Sequence, residues 1–295
     1  MLTPFTGSGA IDWPALDSLT DWYIEAGVAG LFAVCLSSEM YHLTGDERLA
    51  VARRVISRSA GRVPVVATGT FGGPVGSQAE MVQQIADTGV AAVVVIVNQL
   101  GAVEEPDSTW QSRAETLMAA TGEVPLGLYE CPIPYKRLLT PELLGWAAAS
   151  GRFVFHKDTS CMMEPIRAKL RAVNGTAFRW LNANCPTLLE SLRAGGDGYC
   201  GIAANFMPDL YVWMCAIFHT QPELATRLQH FLSIADAVVR YQYPASAKHF
   251  LTQAGVFTSA HCRIANPDFA EEELLILRDL QEAVKEWRRT LRGAR

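Results

Sequence analysis

The sequence is short of positive charge, of long apolar runs and of paired cysteines, and each shortage removes a class of protein. Lysine and arginine number 25 against 30 aspartates and glutamates, a net charge of -5. Such a balance gives no electrostatic footprint for nucleic acid. The longest apolar stretches, such as Val90 to Val97, fall far short of the roughly 18 residues that would span a bilayer, so no membrane partner is expected. Met1 to Ala10 has no basic residue and no apolar segment of signal-peptide length, which predicts a cytoplasmic protein. The seven cysteines are scattered and include no Cys-x-x-Cys pair. That pattern suits reduced, buried thiols better than a disulfide or zinc framework, and no metal or cofactor is expected.

What is present is a large apolar fraction, 49%, with 19% charged residues in 295, enough to bury a sizeable core. A unit recurs along the chain in which a helical stretch ends at a glycine and an apolar, β-branched run follows. The glycines are Gly27, Gly61, Gly89, Gly122, Gly151, Gly175 and Gly195, spaced on average about 28 residues apart, the length of one strand plus one helix. Glycine suits the residue after a helix because the left-handed backbone found there strains any side chain with a Cβ.

The runs that follow, among them Val28 to Val34, Ala91 to Val97 and Arg152 to Lys157, are nearly continuous in apolar residues, as strands buried on both faces of a parallel sheet should be. Thr44 with Glu47 and Ser77 with Glu80 read as capping boxes, and Thr140 before Pro141 as a cap with proline at the first helical position. Seven such strands plus an extended Met1 to Phe5 make eight βα units. This predicts an α/β fold, a (β/α)8 TIM barrel over residues 1–207, with a C-terminal helical extension over 208–295. If the chain begins at Met1, the first strand is short, so either closure is poor there or the true start lies upstream. The basic residues Lys285, Arg288, Arg289, Arg292 and Arg295 are expected to complement a helix C-terminus.

In such barrels the active site gathers at the C-terminal ends of the strands. Arg152-Phe-Val-Phe-His-Lys157 ends in a lysine, with Phe153, Phe155 and Lys157 on one face, and Tyr129 ends the preceding strand. Strands lie about 4.8 Å apart, so the two side chains can reach a common point. A lysine amine has a reference pKa near ~10.4, and keeping it neutral at pH 7 costs about 4 kcal/mol of desolvation, which an apolar barrel mouth supplies. The neutral amine attacks a ketone, the resulting imine serves as an electron sink, and a phenol carries protons. A plain structural alternative pairs Lys157 with Asp158 and leaves Tyr129 as a rim aromatic.

These residues also carry a family likeness. Thr3-Pro4-Phe5, Gly30-Leu-Phe-Ala-Val-Cys-Leu-Ser-Ser-Glu39, Tyr129-Glu-Cys-Pro132 and His156-Lys157-Asp158-Thr159-Ser160 resemble, at matching separations, motifs of the dihydrodipicolinate synthase and N-acetylneuraminate lyase family of class I aldolases. The resemblance implies a Schiff-base-forming lyase or aldolase, tetrameric or dimeric, that acts on pyruvate or another 2-oxo acid. Lys157 would be the imine-forming residue and Tyr129 the proton carrier, with Ser37 and Ser38 holding the substrate carboxylate. Departures accompany it. Leu36 stands where the family places a relay hydroxyl. Pro134 stands where dihydrodipicolinate synthases carry an arginine for their second substrate, which argues against that activity. Lys136 and Arg137 could offer another anion clamp. A keto-sugar-acid dehydratase of the same family and a catalytically idle barrel that senses a small acid are the alternatives.

Overall fold

The structure is a computed structural model, and it describes residues 1–265 and 267–293. Strands and helices alternate: α1 (Trp13–Glu25), β1 (Leu31–Val34), α2 (Gly45–Ser59), β2 (Val65–Thr68), α3 (Val75–Ala86), β3 (Ala92–Ile96), α4 (Asp107–Ala120), β4 (Leu126–Tyr129), α5 (Pro141–Ala149), β5 (Phe153–Asp158), α6 (Met163–Val173), β6 (Arg179–Asn182), α7 (Leu188–Arg193) and β7 (Gly198–Tyr199). The strands form one parallel sheet in the order β1-β2-β3-β4-β5-β6-β7, each beside its predecessor. Leu31 and Phe32 of one edge strand and Gly198 and Tyr199 of the other line a single cavity, so the sheet is curled.

Local sequence explains the elements. All seven glycines of the repeat have positive φ, from 55° at Gly122 to 100° at Gly195, as a left-handed stop after a helix requires. The capping box of Thr44 and Glu47 forms with both of its hydrogen bonds, at 3.2 and 2.9 Å. Thr140 caps α5 by accepting from the Leu143 N–H, with Pro141 in the first turn. The expected box at Ser77 does not form, because α3 starts earlier at Val75 behind Pro74, whose extended backbone ends the loop and places Ser77 inside the helix. Every residue of β3 is buried. Each of its Val and Ile side chains contributes about 1.5–3 kcal/mol relative to exposure.

Two expected strands are reduced. Met1 to Phe5 is not a strand; its only sheet-like contact among the described residues is an isolated antiparallel bridge from Phe5 to Ile11, and the Met1 amine donates to the Phe32 carbonyl at 2.7 Å. A tight turn at Thr6–Gly9 folds this segment back on itself, which competes with pairing along β1. The run at Gly198 to Ile202 is a strand for two residues and then turns.

Beyond β7 the chain is helical: α8 (Pro208–Ile217), α9 (Pro222–Val238), α10 (Ala245–Gln253) and α11 (Glu271–Gly293). Arg288 binds both carboxylate oxygens of Asp209 at 2.7 and 2.9 Å, so it fastens α11 to α8 and does not serve a helix end. Arg295 lies outside the described residues. Lys248 of α10, fully buried, donates to Glu39 at 2.5 Å and to the His261 carbonyl at 2.9 Å. Glu39 also accepts the N–H groups of Arg263 and Ile264. One carboxylate thus ties the turn after β1 to the C-terminal helices. Among the described residues no helix is long and apolar enough to cross a membrane.

Candidate active site

The register of β4 and β5 makes Tyr129 and Lys157 direct partners at the C-terminal ends of their strands. The Lys157 Nζ lies 4.3 Å from the centroid of the Tyr129 ring and 5.6 Å from that of Phe32. Phe32 and Tyr129 meet edge to face at 6.0 Å. Lys157 is 7% exposed and Tyr129 4%, so both residues are shielded from bulk water. Alternation along β5 sends Phe155 and Lys157 to the inside of the curled sheet, where they line a cavity of about 620 Å³. His156 and Asp158 go to the other face.

Burial pushes the Tyr129 phenol well above its usual range, and the neighbouring Cys131 and Cys35 thiols add to the rise. A phenol so raised holds its proton firmly until a developing oxyanion needs it. Cys131 is itself fixed. Its N–H donates to the Tyr129 carbonyl at 2.9 Å, and its carbonyl accepts from Asn98 at 2.8 Å. Leu36 is half-buried against the core and offers no hydroxyl.

Ser37 and Ser38 lie on the single helical turn Leu36–Ser38 after β1. Ser37 lines the cavity. The Ser38 hydroxyl closes the turn instead, donating to the Cys35 carbonyl at 2.6 Å and accepting the Cys35 N–H at 2.8 Å. The two basic residues of the loop after β4 are engaged elsewhere. Arg137 is buried and donates to the carbonyls of Ala102 and Glu105 and to Asp107, while Lys136 donates to the Thr159 carbonyl. Neither lines the cavity.

On the outer face of β4 and β5 sits a buried ionic cluster. Lys169 donates to Glu130 at 2.5 Å, Asp158 at 2.7 Å and Ser160 at 2.9 Å. His156 Nε2 is 3.4 Å from Glu130. Burial alone would raise the Glu130 carboxyl, but His156 and Lys169 hold it below its ordinary range. Glu130, His156 and Asp158 could converge on a metal ion, yet the Lys169 ammonium already bonds to both carboxylates where a cation would sit. Glu130 also accepts the N–H of Leu139 and of Thr159, which locks together the loops that follow Tyr129 and Lys157.

Sequence reasoning missed three polar residues at the cavity's edge. Tyr23 of α1 and Asn205, at the end of the turn after β7, both line it. Tyr243, between α9 and α10, accepts from Asn205 Nδ2 at 2.7 Å. Asn205 follows a strand end and so was open to the rule that located Lys157. Tyr23 sits on a helix and Tyr243 in the turn between two helices, and neither carries such a signal.

A curled parallel sheet that sets a shielded amine against a phenol at its strand ends defines an enzyme of the class I aldolase type, a lyase. Known proteins agree. The sequence pattern of the Dihydrodipicolinate synthetase family matches residues 1–284, and the chain belongs to that family. It is 26% identical over 293 residues to the 4-hydroxy-tetrahydrodipicolinate synthase of Shewanella denitrificans, with 96% of each chain covered. Among solved structures, YagE from E. coli K12, a prophage protein of the dihydrodipicolinic acid synthase family in complex with pyruvate, superposes with a TM-score of 0.86 at 26% identity, 96% of each chain covered. A monomeric dihydrodipicolinate synthase variant superposes with a TM-score of 0.87 at 20% identity, covering 96% of this chain and 94% of that one, a likeness of fold.

Proposed function

We propose that the protein forms a Schiff base between Lys157 and pyruvate or another 2-oxo acid and then makes or breaks a carbon–carbon bond beside it. The observation that carries this reading is the Lys157 Nζ held 4.3 Å over the Tyr129 ring, inside a cavity that Ser37 also lines.

The neutral amine adds to the keto carbon, and the carbinolamine hydroxyl leaves as water with a proton from the Tyr129 phenol. The protonated imine then accepts the electron pair released when a proton or an aldehyde departs from the adjacent carbon. Ser37 donates to the substrate carboxylate, and Ser38 holds the turn that presents it. Pro134 is uncharged and the side chains of Lys136 and Arg137 are engaged elsewhere, which favours a partner carbonyl compound other than that of a dihydrodipicolinate synthase. Dehydration of a keto-sugar acid would use the same imine.

The same reading takes the curled sheet as the frame of an eight-stranded barrel, with Met1 to Phe5 in the first strand's place, over residues 1–207, and α8 to α11 as a helical domain. It also takes the working form to be a cytoplasmic homotetramer or dimer. The test is a panel of 2-oxo acids with borohydride reduction and product analysis. An adduct on Lys157 and a cleaved or condensed product support the reading; absence of both with every acid leaves a barrel that only binds.

A further inference from the structure

Lys169 of α6 stands behind Tyr129 and Lys157 and bonds to the residue that follows each of them. Its ammonium donates to Glu130, next after Tyr129, at 2.5 Å and to Asp158, next after Lys157, at 2.7 Å. Glu130 in turn accepts the Thr159 N–H at 2.9 Å, and the Thr159 hydroxyl donates to the Glu130 carbonyl at 2.9 Å, so two further bonds cross between the same strand ends. The sheet itself holds this point less firmly. Where β4 and β5 begin, the bond from the Leu126 N–H to the Arg152 carbonyl is 2.9 Å long; where they end, the bond from the Glu130 N–H to the Lys157 carbonyl is 3.3 Å. Glu130, Asp158 and Lys169 are at most 1% exposed. A buried ion pair adds little stability over well-packed apolar side chains, and its best attested use is to fix geometry.

We propose that Lys169, acting through Glu130 and Asp158, is a positioning residue for imine formation: from the face of the sheet opposite the cavity it sets the height of the Lys157 amine against the Tyr129 ring. The inference rests on the Schiff-base reading and deepens it, because it gives α6 a part in the rate of the chemistry. Binding of the substrate carboxylate is a separate matter, since Ser37 stands on a different turn, the one after β1. A misplacement of about 1 Å between reacting groups can cost about 10²-fold in rate. Loss of Lys169 should therefore slow the reaction of bound substrate and leave its affinity in place.

The test follows adduct formation on Lys157 in time, by quenching into borohydride over a range of pyruvate, in wild type, Lys169→Met and Thr159→Val. The last removes one strap between the strand ends and leaves no charge unpaired. In Lys169→Met the limiting rate should fall about tenfold or more, with half-saturation within about twofold of wild type and the final yield of adduct per folded chain unchanged. Thr159→Val should show a smaller fall of the same kind. Lost stability alone would lower the yield and leave the rate of the folded fraction as it was. A second readout needs no 2-oxo acid. In protein carrying isotope-labelled lysine, the ring currents of Tyr129 and Phe32 shift the Lys157 side-chain signals upfield, and Lys169→Met should move those signals back. If wild type forms the adduct and either the limiting rate or the Lys157 signals stay unmoved in folded Lys169→Met, the inference is overturned and the Schiff-base reading stands. No adduct in wild type, with Lys157 signals that still depend on Lys169, overturns the chemistry and leaves the positioning. Should Lys169→Met fail to fold, Thr159→Val carries the comparison, and an unmoved rate and unmoved signals there overturn the inference.

Discussion

Lys157 and Tyr129 are register partners on β5 and β4, and the lysine nitrogen lies 4.3 Å from the centroid of the tyrosine ring. The amine thus packs on the ring of Tyr129, whose phenol belongs to the neighbouring strand end. Replacing Tyr129 by Phe keeps the ring face and removes the proton. Turnover should then fall by about 10²-fold or more, the scale of lost general acid–base catalysis, and the adduct on Lys157 should form correspondingly more slowly. Steady-state kinetics beside trapping would show this, and near-normal turnover would remove the phenol from the mechanism.

The buried pair of Lys248 and Glu39 holds the C-terminal helices against the turn that carries Ser37. Breaking it from one side, with Lys248→Met, leaves an uncompensated carboxylate in the interior. That should cost about 3–5 kcal/mol in urea unfolding. A loss below about 1 kcal/mol would mean that solvent reaches Glu39.

Acid should weaken a second tie. The Arg263 guanidinium beside Glu47 holds its carboxyl at about 2, against an ordinary value of 4.5. The folded state therefore favours the ionised form. Its contribution is complete above the unfolded carboxyl pKa, near ~4.3, and disappears as pH falls through the range down to about 2. Glu47→Gln should be less stable than wild type at pH 7, and the gap should close between pH 4.5 and 2. A gap that stays constant with pH would contradict the assignment.

The cavity depends on a missing side chain. A Cβ at Gly127 would meet Phe155 Cε1 at 2.3 Å and Cζ at 2.4 Å. Gly127→Ala should push Phe155 into the space beside Lys157 and destabilise the protein by about 1–3 kcal/mol. It should also raise the concentration of 2-oxo acid needed for half-maximal trapping. Unchanged trapping would show that Phe155 has room to move elsewhere.

Much of this was legible in the chain. The glycine repeat marked the helix ends, and all seven glycines take the left-handed backbone that their position demands. Period-two alternation on β5 separates Lys157 from His156 and Asp158, but it fails at Phe153, which a register shift against β4 leaves packed on Trp146 of α5 and out of the cavity lined by Phe155 and Lys157. The rest is long-range. Nothing near Glu130 announces Lys169, 39 residues on, as its partner. Nothing near Asn205 announces Tyr243, 38 residues on, because that contact is created by how the C-terminal helices pack. Met1 to Phe5 shows the limit of pattern reading from the other side. Its composition suits a strand, but the turn at Thr6–Gly9 and the bridge to Ile11 bend it away from continuous pairing with β1.

The most direct measurement is mass spectrometry of the intact protein and its peptides after incubation with pyruvate and borohydride. A mass increase confined to the peptide that contains Lys157, and abolished in Lys157→Ala, is the predicted result. An adduct on another lysine, or none with pyruvate and a range of 2-oxo acids, would contradict the account.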